Sequence, residues 1–226
     1  MTAASRPLCL LLVRPGHAGG VAGNDQTAER WRRQLLSLPS LVSAVHGPLD
    51  PREFERNLVL LERSVVGDQV ALLALHAEKS APAIAAFAAR YPGRPILLAL
   101  GGTDANAPGG WSPASARSLD LASRILCFHE LLAERLDRPH WRAKAFLLPP
   151  SAEPIPPAER AALLPPAPPF RVLLLANLRA VKAPLLAALA ARTLNPQLPV
   201  LIEHYGQPLE PAFESDLASL ATPQFR

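Results

Sequence analysis

Residues 70–104, VALLALHAEKSAPAIAAFAARYPGRPILLALGGTD, decide how this chain is read. Val70 to Leu75 and Ile96 to Leu100 are short apolar runs, the pattern of strands that a parallel sheet covers on both faces. Between them, Ser80 to Tyr91 reads as a helix. Ser80 stands where it can cap, Pro82 fits just inside the start, and Pro92-Gly93 stops the helix. Strand, helix and strand in this order make a β-α-β unit.

The same alternation continues on either side. Strands are expected at Leu8 to Val13, Leu41 to His46, Ile125 to Phe128 and Ala145 to Leu148. Helices are expected at Asp25 to Leu38, Arg52 to Val66, Pro113 to Ser123 and Glu130 to Leu136. The spacing of Leu58, Leu60, Leu61, Val65 and Val66 also admits part of a strand, and helix is the favoured reading there. The result is an α/β chain whose residues 1–150 form a doubly wound parallel-sheet domain. Nine of the 26 prolines fall between Pro149 and Pro169, a semi-rigid linker over 151–169 with room for one short helix at Pro157 to Leu164. Residues 170–226 then restart the pattern: strand Arg171 to Leu175, helix Ala183 to Thr193, strand Val200 to Glu203, and a helical tail near Glu210 to Leu220. Two strands and two helices make an incomplete second Rossmann-like domain.

Composition narrows the function. The chain has 226 residues, 49% of them hydrophobic and 19% charged, which excludes wholesale disorder. No apolar run approaches the roughly 20 residues that span a bilayer, and the N-terminus lacks a secretory pattern, so a cytoplasmic protein without membrane partners is expected. The net charge of +4 rests on 20 Arg and 3 Lys scattered without interleaved aromatics, so no nucleic-acid partner is expected. Cys9 and Cys127 sit in apolar runs and read as buried thiols. No Cys and His spacing suits a metal, and no G-x-S-x-G elbow occurs.

Ligands of an open parallel sheet bind beyond the carboxyl ends of its strands. Three loops stand there. Pro15 to Asn24 is glycine-rich and feeds a helix, so its amides suit an anion. His76-Ala77-Glu78-Lys79-Ser80 offers an imidazole, a proton donor or hydrogen-bond partner, beside helix-start amides that suit an anion. Gly101-Gly102-Thr103-Asp104 offers a hydroxyl and a carboxylate after a tight turn. In the second half, Arg179 and Lys182 stand in the corresponding place, two cations that suit a diphosphate across an interdomain cleft. Each segment also reads as an ordinary loop or turn when taken alone.

Taken together, LHAEKSAPAI (75–84), LGGTD (100–104), SLDLASRI (118–125) and LRAVKAP (178–184) resemble the selenosugar synthases of selenoneine biosynthesis. These are GT-B type, family 4-like glycosyltransferases. The resemblance runs from about Val70 to the end and is weaker over Leu8 to Leu38. It implies a two-domain GT-B fold and transfer of a sugar from a UDP-sugar to selenophosphate, with the UDP-sugar as donor substrate and no cofactor. It implies catalytic roles for His76, Thr103 and Asp104, with Gly23, Asn24, Lys79, Gly102, Arg179 and Lys182 binding substrate. Departures from the family pattern are Ala105-Asn106 after Gly-Thr-Asp, Ala176-Asn177 before Leu-Arg, and Ala183 after the Lys. Relatives continue for roughly another hundred residues, the size of the rest of a nucleotide-binding domain, so the chain reads as C-terminally truncated. A degenerate relative acting only as a binding module is the second reading, and an unrelated α/β binding module the third.

Overall fold

Short apolar runs with no polar face demand cover on both sides, and in the first part of the chain the computed structural model meets that demand with a parallel sheet between helices. It describes residues 8–15, 23–38, 42–61, 69–151, 156, 157, 159 and 168–226. By contact the chain divides into two compact units, Met1–Ser151 and Ala152–Arg226.

In the first unit the strands are β1 (Leu8–Val13), β2 (Val42–Leu49), β3 (Val70–Leu75), β4 (Ile96–Ala99), β5 (Arg124–Cys127) and β6 (Ala145–Leu147). They form a six-stranded sheet in the order β2-β1-β3-β4-β5-β6, every neighbouring pair parallel. β1, β3 and β4 are adjacent, as the sequence predicts. The chain leaves β1 toward one edge and returns at β3 toward the other, so the order reverses between β1 and β3. A reversal of this kind opens a crevice at the carboxyl ends of the two strands.

Helices α1 (Gly23–Leu36), α2 (Phe54–Leu61), α3 (Ala81–Arg90), α4 (Gly102–Ala105), α5 (Pro113–Leu121), α6 (Glu130–Glu134) and α7 (Pro139–Arg142) connect them. The core splits by strand parity. Cys9, Leu11, Leu72, Leu98 and Ile125 face Ile84 and Phe87 of α3, Leu119 of α5 and Phe54 of α2. Leu10, Leu12, Ala71, Leu73 and Ala99 face the other way, toward Ala28 and Trp31 of α1. Burying each large side chain contributes roughly 1.5–3 kcal/mol. Cys9 and Cys127 are buried free thiols, and burial raises the pKa of both.

Several boundaries differ from the sequence reading. β2 runs on to Leu49 because Gly47, at φ 144°, passes against β1: a Cβ there would stand 2.3 Å from the Leu12 carbonyl oxygen. α2 ends at Leu61, and 62–68 lie outside the described residues. The short helices α4 and α7 were not anticipated. Ser80 occupies the N-cap position of α3 with Pro82 in the first turn, but its hydroxyl caps nothing. It donates instead to the Leu75 carbonyl at 2.6 Å, because the loop carries it back under the end of β3. The short helix expected at Pro157 to Leu164 lies almost entirely outside the described residues.

The second unit pairs β7 (Phe170–Leu175) with β8 (Val200–Tyr205) in parallel. The helix expected from Ala183 starts later, as α8 (Leu186–Ala191): a 3-10 turn occupies Ala180–Lys182, and Ala183 at φ 45° breaks the helical path. α9 (Ala212–Ser219) follows. Ala188, Ala191 and Phe225 form a small core with Ile202, Leu217 and Leu220 packed against it. Gly206 is required for close approach, since a Cβ there would stand 1.9 Å from the Ala176 carbonyl oxygen. Among the described residues no helix is long and apolar enough to cross a membrane.

Phe87 is 0% exposed between α3 and the sheet, whereas Leu131 on α6 is 64% exposed. Phe87→Ala is expected to cost about 3–5 kcal/mol through lost burial and the cavity left behind, and Leu131→Ala to stay within about 0.5 kcal/mol. Urea unfolding of the two variants checks the difference.

Candidate functional site

The ladder between β3 and β4 fixes the site. Leu75 pairs with Ala99, and the next residue adds a last rung, the His76 N–H donating to the Ala99 carbonyl at 2.8 Å. The chain then turns through φ 74° at His76, the left-handed region that a non-glycine residue enters at a cost of roughly 1 kcal/mol or more. Local bonds hold this turn. The Ser80 N–H donates to the His76 carbonyl at 3.1 Å, and the Lys79 N–H donates to His76 Nδ1 at 3.3 Å.

Because Nδ1 accepts a backbone N–H, the neutral ring carries its proton on Nε2. Nε2 lies 3.0 Å from the Thr103 hydroxyl oxygen and donates to it. The ring is buried, while Thr103 is exposed on the first turn of α4. Asp104, next along, turns inward and is 2% exposed. Its Oδ2 accepts the Ala77 N–H at 2.7 Å and its Oδ1 the Ala105 N–H at 3.0 Å. Oδ2 also lies 3.6 Å from His76 Nδ1, an electrostatic contact beyond hydrogen-bond length. Burial pushes the Asp104 carboxyl up to about 6, against the backbone amides that pull it down.

His76, Thr103 and Asp104 are therefore brought together at one edge of the sheet. Gly102 opens α4, and its carbonyl accepts from the Asn106 side chain at 2.8 Å. Lys79 contributes its amide to His76 while its side chain is exposed. Gly23 and Asn24 open α1, the helix that follows β1. The rest of the glycine-rich loop, 16–22, lies outside the described residues. One expectation needs correction: the amides before α3 do not await an anion. Those of Lys79, Ser80 and Ala81 are spent on His76 Nδ1, the His76 carbonyl and the Glu78 carbonyl, because the turn at His76 folds the loop onto itself.

In the second unit, Arg179 precedes the 3-10 turn after β7 and Lys182 is its last residue. Lys182 is exposed. Arg179 is half-buried, and its Nε has no hydrogen-bond partner among the described residues. The turn is braced from the segment after β8: the Leu178 N–H donates to Gln207, the Gln207 N–H to the Asn177 side chain, and the Ala180 N–H to Glu210.

Sequence reasoning missed three groups. Arg14, just after β1, pairs with Asp25 in the first turn of α1 at 2.6 Å. Ser80 and Ser118 are buried hydroxyls behind His76. The signal for Ser118 was present, a serine beside Leu119 on the apolar face of α5. Among the described residues no group of three His, Cys, Asp or Glu side chains is arranged to hold a metal ion.

No family model and no curated protein matches the chain. Among solved structures, the crystal structure of Acinetobacter baumannii MurG is similar at a TM-score of 0.47 and 13% identity, covering 97% of this chain. The chain spans 65% of the length of that protein.

The position of Asp104 gives a pH-dependent stability. Its pKa rises from 3.8 to about 6 on folding, so between these values the folded state keeps a proton that the unfolded chain has released. Stability then falls as pH rises through that window, by about 2–3 kcal/mol at roughly 1.4 kcal/mol per unit. Urea unfolding between pH 4 and 7 is expected to show this fall in the wild type relative to Asp104→Asn, which does not titrate there.

Proposed function

We propose that the chain is a glycosyltransferase that moves a sugar from a UDP-sugar to selenophosphate. The observation that carries this reading is the cluster of His76, Thr103 and Asp104 at the carboxyl edge of a parallel sheet, with His76 Nε2 3.0 Å from the Thr103 hydroxyl and Nδ1 3.6 Å from Asp104. The motifs around these residues are those that resemble selenosugar synthases of the GT-B type. In the reaction, a selenium lone pair forms a bond to the anomeric carbon as that carbon's bond to the β-phosphate oxygen breaks. UDP leaves with the electron pair.

Each residue has a part in this reading. Arg179 and Lys182 neutralise the leaving diphosphate, a charge that grows in the transition state and is best met by fixed cations. Thr103, backed by His76, donates to an oxygen of the sugar or acceptor, and Lys79, Gly102, Gly23 and Asn24 bind substrate in the same reading. The reading places the reaction in the cytoplasm. One observation favours a second reading, a module that binds a nucleotide sugar without turning it over: the imidazole and the buried carboxylate are engaged with the protein's own backbone.

The experiment is to incubate the purified chain with selenophosphate and UDP-glucose or UDP-N-acetylglucosamine and to follow UDP release. Release that depends on selenophosphate supports transfer; binding without release supports the second reading; neither binding nor release overturns both. Lys182→Ala is expected to weaken UDP binding about 10- to 100-fold, since a charge-assisted contact is worth roughly 1.5–3 kcal/mol, and Arg90→Ala less than about twofold. Calorimetry of the two variants separates them, and equal effects would put the diphosphate elsewhere.

A further inference from the structure

We infer that Ser80, Asp104 and Ser118 are positioning residues that together hold His76 in its left-handed conformation with Nε2 turned to Thr103. The function this serves rests on the reading of His76 and Thr103 given above, but the geometry stands independently of it. Three consecutive peptide groups pass through the turn. In the first, the Leu75 carbonyl accepts from the Ser80 hydroxyl at 2.6 Å and the His76 N–H donates to Ala99 at 2.8 Å. In the second, the His76 carbonyl accepts from the Ser80 N–H at 3.1 Å and the Ala77 N–H donates to Asp104 at 2.7 Å. In the third, the Ala77 carbonyl accepts from the Ser118 hydroxyl at 2.8 Å.

The peptides on both sides of the His76 Cα are thus fixed at both ends, so neither φ nor ψ of His76 can relax alone. The three side chains come from different places, the loop itself, α4 and α5, and all are buried. Ser118 also approaches the Ala114 carbonyl at 3.0 Å, the i−4 contact common to helical serines, but its single proton serves the shorter bond. A glycine at 76 would make the same turn without strain and without an imidazole to aim. Three buried polar groups and a left-handed histidine are a costly way to build a turn, and what they add over a glycine is a ring held in one orientation.

The test is NMR of the full chain with 15N-labelled histidine, reading the two ring nitrogens of His76. In the wild type at neutral pH they are expected to be widely separated, one protonated and one not, as for a ring locked as the Nε2–H tautomer. A ring already averaged between tautomers would overturn the inference. In Ser80→Ala, which frees the Leu75 carbonyl beside His76, the separation is expected to shrink by at least about half while circular dichroism and the thermal midpoint show a folded chain. Ser118→Ala is the second variant should Ser80→Ala fail to fold. Wild-type separation in a folded variant would overturn the inference. With UDP-sugar and selenophosphate, the same variants are expected to lose about tenfold in kcat with KM within twofold. A wild-type chain that transfers nothing defeats the functional reading and leaves the NMR result standing, whereas an unmoved ring in folded variants defeats only the positioning.

Discussion

One hydrogen bond sets the geometry of the first unit's working edge: the His76 amide on the Ala99 carbonyl. It continues the β3–β4 register by one residue and forces the two chains to part at the same level. Leu100 passes on to β5, its N–H donating to the Leu126 carbonyl, while His76 turns back on itself. After Leu100 the chain can rise only through Gly101 and Gly102 into α4, which delivers Thr103 and Asp104 beside the imidazole. A slip of one residue between these strands would exchange their faces and carry Leu72 and Leu98 out of the core they share with α3. The site's geometry is therefore as well determined as the core's.

This explains how much was legible in the sequence. The strands were readable because a sheet covered on both faces leaves no polar position, so VALLAL and ILLA declare themselves by composition. The loops that follow the strands could be grouped because every strand of the sheet is parallel, so their carboxyl ends share one edge. What was not readable is the direction in which short polar side chains turn. Ser80 looks like a cap, and whether its hydroxyl meets an amide ahead or a carbonyl behind depends on the backbone angle at His76, four residues earlier. Ser118 sits 41 residues from the carbonyl it serves, and no local pattern reports a bond of that span. A helix is expected from Ala183, yet this residue adopts φ 45° at the end of the 3-10 turn, a left-handed conformation that no local pattern in the sequence reports.

The second unit shows the same limit in electrostatic form. Glu203 ends an apolar run, and its side chain is buried on the sheet. Arg171 on β7 donates to one carboxylate oxygen at 2.7 Å, and Arg226 donates to the other at 2.7 Å. These guanidiniums hold the Glu203 carboxyl below its usual range. Arg226 reaches this position because Gln224 to Arg226 run alongside β8, exchanging backbone bonds with Ile202 and His204. Each Glu203 carboxylate oxygen thus meets a guanidinium, and the ion pairs and the backbone pairing support one another.

In the first unit the chain of donors has a direction, and the direction bears on what the edge can meet. The Lys79 amide donates to His76 Nδ1, which leaves the ring's proton on Nε2; Nε2 donates to Thr103, which occupies a lone pair of that hydroxyl. The hydroxyl's own proton is then the group left to point outward. Successive donors polarise one another in the same sense, so the exposed end of the series is a strengthened donor rather than an acceptor. Asp104 stands behind the ring, buried and satisfied by amides, and its charge reaches the outside only through the imidazole. This edge therefore presents an O–H donor beside the exposed Lys79, a pairing complementary to oxygen acceptors and not to a cation. The polarity of the site thus follows from a single backbone amide and the left-handed turn that brings it to the ring.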